Sequence, residues 1–341
     1  MNNNDLKKLF KGKNTKPYLI AEIGNNHNGS LKLAKKLIIA AKKNGADCVK
    51  FQTFSPSSLF SKKSFIKNKE LKKDVIKYTL NLNDFKFLKN FAYKNKIEFA
   101  ATPFSNEEVD FLIKELELKF IKIASMDINN FPLISYIAKK KIPIILSTGF
   151  GNFREIKKSI DIIKKNKCKL IILHCVSEYP PNDKDLNLKR ILKYKKLFKV
   201  PVGFSDHTVG TDITFAAMAI GASIVEKHFT INKKMKGWDH SISADPEDLK
   251  NINNYSKKLQ KVLGKENIYR VESDLKTMKF RRSIVAKRNI QKWEKIKFKD
   301  LSYKRPGNGI PPGDWKKIVG KYPKKKIFYD EQINLKNLKR S

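Results

Sequence analysis

Residues 202–230 read VGFSDHTVGTDITFAAMAIGASIVEKHFT, and this stretch decides the fold. Val202–Phe204 and Ile224–Glu226 are short apolar runs of strand type. Thr211–Ile220 between them has the residue types of a helix, closed by Gly221. Strand, helix and strand in that compass make a βαβ unit, whose two strands run parallel and side by side. A histidine closes each run: His207 in Gly203-Phe204-Ser205-Asp206-His207-Thr208, and His228 in Val225-Glu226-Lys227-His228-Phe229-Thr230. Neighbouring strands lie ~4.8 Å apart, so imidazoles at the same end of adjacent strands can share one divalent ion. The chain has 5 histidines among its 341 residues, so two in such register stand out. A pair of hydrogen-bonded structural histidines is the competing reading.

Working outward, the same alternation extends from about residue 18 to 230. Strands are expected at Tyr18–Ile23, Asp47–Phe51, Glu98–Ala101, Phe120–Ile123, Pro143–Leu146 and Leu170–Leu173, ahead of the two already named. Helical patterns separate them at Leu31–Asn44, Asn83–Lys96, Glu107–Leu116, Asn130–Lys140, Phe153–Lys165 and Asp185–Leu197. Ser30, Asn83 and Asn106 are placed to cap, and Gly45 and Gly221 to terminate. Eight strands alternating with helices is the arithmetic of a (β/α)8 TIM barrel, with a doubly wound open sheet as the alternative.

A barrel places its site at the C-terminal ends of the strands. Polar residues gather there: Glu22, Asn25, Asn26 and His27; Lys50 and Gln52; Thr102 to Ser105; Lys122 and Ser125; Ser147, Thr148 and Gly149; His174, Ser177 and Tyr179; Ser205, His207 and His228. Lysines at a barrel lip are costly unless they meet an anion. With Ser125, Ser147 and Ser205 as hydroxyl donors, and the Thr148-Gly149 backbone ahead of a helix, Lys50 and Lys122 describe a site for a phosphate or phosphate–carboxylate ligand. Two imidazoles suit Mn²⁺, whose shell water and ligand oxygens complete; a catalytic zinc usually takes three protein ligands.

Beyond the barrel, about Asp248–Leu263 reads as a helix ending at Gly264. Residues 1–264 are therefore expected to form the barrel, 265–282 a linker or arm, and 283–341 a small β-rich domain with runs at Ser283–Ala286, Ile296–Phe298, Ile318–Val319 and Ile327–Tyr329. The formal net charge of +40 could suit nucleic acid, but the lysines are spread over nearly every helical segment rather than gathered in a stripe. Neither a membrane-spanning run nor a secretory signal is read, and 3 cysteines make no disulfide framework, so a reducing cytoplasm is expected.

These residues also match a family pattern. Ala21-Glu22-Ile23-Gly24-Asn25-Asn26-His27-Asn28-Gly29-Ser30, Val49-Lys50-Phe51-Gln52-Thr53, Ile121-Lys122-Ile123-Ala124-Ser125 and Leu146-Ser147-Thr148-Gly149 resemble, in order, motifs of the N-acetylneuraminate (sialic acid) synthases, which include the pseudaminic and legionaminic acid synthases. Thr102-Pro103-Phe104-Ser105, Tyr179-Pro180 and the two histidine strings do so too, and Lys304-Arg305-Pro306-Gly307-Asn308-Gly309-Ile310 resembles their C-terminal antifreeze-like (SAF) domain. The resemblance implies condensation of phosphoenolpyruvate with an open-chain N-acyl hexosamine, such as N-acetylmannosamine or a diacetamido-trideoxyhexose, giving a nonulosonic acid and phosphate. It implies that His207 and His228 hold Mn²⁺ (or Mg²⁺ or Co²⁺), that Lys50, Lys122, Ser125, Ser147 and Ser205 cradle phosphoenolpyruvate, and that Glu22 acts beside the metal. Gln52, Thr102, Asp127, Ser177, Tyr179 and Asp239 would face the sugar. Arg305 would reach the site from the partner chain of a domain-swapped homodimer. The alternatives are a 3-deoxy-octulosonate-phosphate-type synthase and a basic nucleic-acid-binding protein.

Overall fold

The computed structural model describes residues 3–12, 16–264 and 272–339. The chain divides into two compact units, Met1–Gly264 and Lys265–Ser341.

In the first unit the strands are β1 (Tyr18–Gly24), β2 (Cys48–Thr53), β3 (Glu98–Pro103), β4 (Ile121–Ile123), β5 (Ile144–Ser147), β6 (Leu170–Cys175), β7 (Val202–Asp206) and β8 (Ile224–His228). The sheet order is β3-β2-β1-β8-β7-β6-β5-β4, its ladders are parallel, and β3 lies against β4. Pairing of β1 with β8 excludes the doubly wound alternative and makes the sheet a (β/α)8 barrel. Several strands run past the expected ends, to Thr53, Pro103, Cys175, Asp206 and His228. The apolar runs stop earlier because polar side chains take over the lumen while the ladder continues.

Strand alternation sorts the side chains. One set packs outward against the helices in a large apolar layer. The other fills the lumen. Its lower part holds Ile20, Cys48, Ala100, Phe120, Ile145, Ile171 and Ile224, packed with Leu6, Leu9 and Phe10 at the N-terminal helix Asn3–Leu9. The Phe10 and Phe120 rings lie 6.3 Å apart, so this end of the barrel has an apolar floor.

Three helices, Pro56–Leu59, Lys62–Lys67 and Lys69–Tyr78, form an unexpected excursion after β2. The caps also differ from expectation. Ser30 caps Leu31–Lys43 as expected, but Asn81 and Ser105, not Asn83 and Asn106, cap Leu82–Lys94 and Asn106–Asp110, each in a reciprocal capping box. The helix expected at Asp185–Leu197 is split into Asp183–Leu186 and Arg190–Phe198, with Asn187 left-handed at φ +43° between them.

The second unit pairs β9 (Ser283–Ala286) antiparallel with β10 (Leu301–Lys304), and β11 (Tyr322–Pro323) with β12 (Leu338–Lys339). Ile284, Ile290, Ile296, Leu301, Ile318 and Ile327 share its core. Of the expected β runs, Ser283–Ala286 is a strand; Ile296 is buried in the core on an irregular segment that leads into a 3-10 turn at exposed Phe298, Ile318–Val319 is a turn with Ile318 in the core, and Ile327 makes only an isolated bridge to Ile290. Residues 265–271 of the expected linker lie outside the described residues, and Asp274–Phe280 is helical.

Candidate active site

Two residues along β1, β2, β3, β4, β5 and β8 from the apolar floor, the lumen changes character, while β6 keeps apolar Leu173 at that level. Register sets the neighbours: Glu22 lies beside Lys50 and His228, Gln52 beside Thr102, and Ser205 beside Glu226. All but Gln52 are buried. Lys50 Nζ sits 2.6 Å from Glu22 Oε2 and 3.8 Å from Glu226 Oε2, and donates to Thr102 Oγ1 at 3.2 Å. Lys122 Nζ is 3.2 Å from Glu226 Oε1, which also accepts from Ser205 Oγ at 3.1 Å. Two ammoniums and two carboxylates thus share a lumen from which water is largely excluded.

Burial pushes the Glu22 carboxyl up to about 7, against the pull of Lys50 and with the push of Glu226. At Glu226 burial acts the same way, but Lys122 and Lys50 outweigh it and hold the carboxyl below its ordinary value. Burial lowers Lys122; at Lys50 the same burial is overcome by Glu22 and Glu226. Glu226 is therefore the carboxylate that both lysines hold, and sequence reading passed over it as the interior of a strand.

The histidines stand beside this group. Their rings are 5.5 Å apart between centroids. His207 Nδ1 lies 2.8 Å from the Val176 carbonyl oxygen, so that nitrogen carries a proton; burial pulls the pKa of the ring down, but Cys175 and the Val176 carbonyl outweigh it and leave it raised. The Tyr179 hydroxyl lies within hydrogen-bond distance of Nε2, at 3.2 Å, and its ring stacks on His207 at 4.1 Å. Burial of its hydroxyl end raises the Tyr179 pKa, which keeps it a donor. Burial, reinforced by His207 and the lysines, lowers His228 well below an ordinary histidine, so its ring is neutral. Its Nδ1 is buried without a hydrogen bond, 3.7 Å from Asp239 Oδ2. Among the described residues no set of three or more His, Cys, Asp or Glu side chains is arranged to hold an ion.

The other expected residues divide. Ser147 faces the lumen with a buried hydroxyl that has no hydrogen bond, and Ser125 Oγ accepts from the Gly149 N–H at 3.1 Å. Ser177 Oγ and Cys175 Sγ are 3.8 Å apart, and Cys175 is also 3.8 Å from His207 Nδ1, so that thiol belongs to the site wall. Asp127 is half-buried after β4 and bonded to Asn130; burial raises its pKa, as it does that of Asp239. The Thr148-Gly149 backbone is not a free anion cradle: Thr148 N–H donates to Leu173 O, and Gly149 N–H to Ser125. His174 faces the helices, 2.6 Å from the Leu186 carbonyl oxygen, because it is out of phase with lumen-facing Leu173 and Cys175. Arg305, in the second unit, is exposed over the Phe280 ring.

A family model described as the NeuB family matches residues 37–268, and one described as the SAF domain matches 281–339. The chain is 41% identical to the N,N'-diacetyllegionaminic acid synthase of Campylobacter jejuni, covering 93% of this chain and 99% of that protein. It is 38% identical to the enzyme of the same name from Legionella pneumophila, over 91% of each. Among solved structures, the N-acetylneuraminic acid synthetase of Leptospira borgpetersenii, in complex with citrate, superposes with a TM-score of 0.72 at 36% identity, covering 77% of this chain and 90% of that one.

Proposed function

The chain belongs to the NeuB family of carbon–carbon bond-forming synthases, and we propose that it condenses phosphoenolpyruvate with an open-chain N-acyl hexosamine, releasing phosphate and a nonulosonic acid. One observation supports this above others: two lysines at the C-terminal rim of a barrel lumen, each held by a buried carboxylate and neither exposed to water. Such a pair is built for a small dianion that can displace those contacts, with Ser147, Ser205 and Ser125 as neutral donors around it.

The reaction balances on this arrangement. C3 of the enol ester bonds to the aldehyde carbon, whose oxygen takes a proton and becomes a hydroxyl. Water then adds to the cationic C2, giving up a proton, and the tetrahedral carbon expels phosphate to leave the 2-keto acid. Lys50 and Lys122 hold phosphate and carboxylate, so the enol is fixed against its partner and proximity supplies much of the rate. Glu22 Oε1 carries no hydrogen bond and accepts the proton of the water that adds at C2. Gln52, Thr102 and Tyr179 orient the sugar, with Ser177 and Asp239 beside its N-acyl group and hydroxyls.

The histidines fit a divalent ion of the Mn²⁺ type: two imidazoles, one aimed by its bond to the Val176 carbonyl and the other held neutral with an orphaned buried nitrogen, leaving water and ligand oxygens to complete the shell. When bound, such an ion supplies electrophilic activation of a carbonyl oxygen. On the sugar side, Asp127 and Asp239 are carboxyl groups, bonded to Asn130 and beside His228 respectively, where a phosphorylated acceptor would call for further cations. That argues against an octulosonate-phosphate-type reaction.

The test is phosphate release from phosphoenolpyruvate by Mn²⁺-supplemented protein with N-acetylmannosamine, a diacetamido-trideoxyhexose, N-acetylmannosamine 6-phosphate or arabinose 5-phosphate. Release that requires an unphosphorylated N-acyl hexosamine is expected; release with none of the four would sink the proposal. The names of the relatives make the diacetamido sugar the first acceptor to try.

A further inference from the structure

The strongest feature outside the lumen is a further buried ion pair, on the helix-facing side of β7 and β8. Asp206 and Lys227 are register partners on β7 and β8, both 1% exposed, with Nζ 2.8 Å from Oδ2. Ser205 and Glu226 bond to each other in the lumen, so alternation turns the next residues, Asp206 and Lys227, toward the helices and returns His207 and His228 to the inside. Asp206 and Lys227 cannot touch a ligand in the lumen.

Their partners are specific. Asp206 Oδ1 accepts from the Thr208 N–H at 2.9 Å and from Thr208 Oγ1 at 2.8 Å. Asp206 Oδ2 accepts from Thr214 Oγ1, on the helix Asp212–Ala219, as well as from Lys227. Lys227 Nζ also donates to the Thr208 carbonyl oxygen at 2.8 Å. His207 is thus bracketed by residues 206 and 208, both tied to one carboxylate, and His228 directly follows the lysine bound to that carboxylate.

We infer that Asp206 and Lys227 are positioning residues that set the backbone of His207 and His228 relative to each other, so that the two imidazoles converge on one divalent ion. A buried ion pair is weak as a source of stability, since an apolar pair of similar volume often serves as well. Its worth here is geometric: it joins the two strands one residue before each histidine. The inference rests on the proposed metal role of those histidines.

The experiment measures Mn²⁺ binding directly, by the paramagnetic resonance of free Mn²⁺ without phosphoenolpyruvate, beside thermal melting of the metal-free protein. The variants are Asp206→Asn/Lys227→Met, which removes both charges at near-constant volume, Thr214→Val, Thr214→Ser and His207→Ala. The double variant is expected to melt cooperatively but to bind Mn²⁺ about tenfold more weakly or worse. Thr214→Val is expected to weaken binding about threefold, as for one lost hydrogen bond, with Thr214→Ser restoring it. Should the double variant fail to fold, Thr214→Val against Thr214→Ser decides. Wild-type affinity in the double variant or in Thr214→Val, with binding lost in His207→Ala, overturns the inference alone. A wild-type protein that binds no Mn²⁺ overturns the metal reading and the inference with it.

Discussion

The floor and the rim of the barrel are two residues apart on the same strands, yet they are built on opposite principles. At the floor Ile20, Cys48, Ala100, Phe120 and Ile145 pack with Leu6, Leu9 and Phe10, and the gain is the removal of apolar surface from water. At the rim Glu22, Lys50, Thr102, Lys122 and Ser147 are as deeply buried, and Glu22 and Ser147 keep polar atoms without hydrogen bonds. Each such atom costs the fold about 1–3 kcal/mol. The difference teaches that equal burial can mean opposite things: the floor stabilises the barrel, and the rim spends part of that stability on groups poised for a ligand.

The sharpest way to break this contrast is to neutralise the rim. Lys122→Met with Glu226→Gln removes a contact of 3.2 Å between buried charges. Replacing a buried pair by uncharged groups is often neutral or stabilising. The variant should therefore melt within a few degrees of wild type, while phosphate release falls about a thousandfold or more. A variant that fails to fold would show that the rim holds the barrel together, and near-normal turnover would remove Lys122 from the site.

The floor should respond in the reverse sense. Phe120 is 1% exposed between the lumen residues and Phe10. Phe120→Ala should cost about 3–5 kcal/mol in denaturant unfolding. Enzyme that is still folded should keep its Michaelis constant for phosphoenolpyruvate within about twofold, because the transition state gains nothing from this contact. A Michaelis constant that rises in step with lost stability would mean that floor and rim are mechanically one.

Much of this contrast is legible before any coordinates. Eight apolar runs with polar ends place Glu22, Lys50, Lys122, Ser147, Ser205, His207 and His228 at one end of one sheet, and the lumen gathers them there. The parity of the strands was the underused signal. Counting back by two from His228 reaches Glu226, the carboxylate both lysines hold, and the same count from Cys175 sends His174 to the outside. The helix Lys69–Tyr78 was hidden for another reason: only Val75 and Tyr78 of its ten residues are buried, too few for a periodic stripe. The caps were misplaced because Asn and Ser occur at several neighbouring positions, and only the reciprocal hydrogen bonds choose among them.

His27 offers a smaller test, at a rim residue with no charge partner. It is 1% exposed, stacks on Phe51, and accepts the Gly29 N–H on Nδ1 at 3.0 Å. Burial lowers its pKa from 6.5 to about 4. The unfolded chain therefore takes up a proton below 6.5 that the folded chain refuses until about 4. Its contribution is intact above pH ~6.5 and is lost as the pH falls toward ~4, amounting to about 3 kcal/mol. Chemical denaturation across that window should show this loss in wild type and a flatter profile in His27→Asn; parallel profiles would assign the acid sensitivity elsewhere.

The finest test sits on β5, where Ile145 at the floor and Ser147 at the rim face the same lumen. Ile145→Val deletes one methylene from a packed layer and should cost about 1 kcal/mol, with kcat and the Michaelis constant unchanged. Ser147→Ala deletes a buried hydroxyl that has no partner, so stability should hold or rise by up to about 3 kcal/mol. Its cost should appear instead as a Michaelis constant for phosphoenolpyruvate raised about fivefold to tenfold, the loss of one hydrogen bond to an anion. The two substitutions then separate stability from substrate binding at neighbouring lumen positions on one strand. A stability loss in Ser147→Ala with unchanged kinetics would place Ser147 with the floor, and the boundary between the two regions would move one layer higher in the barrel.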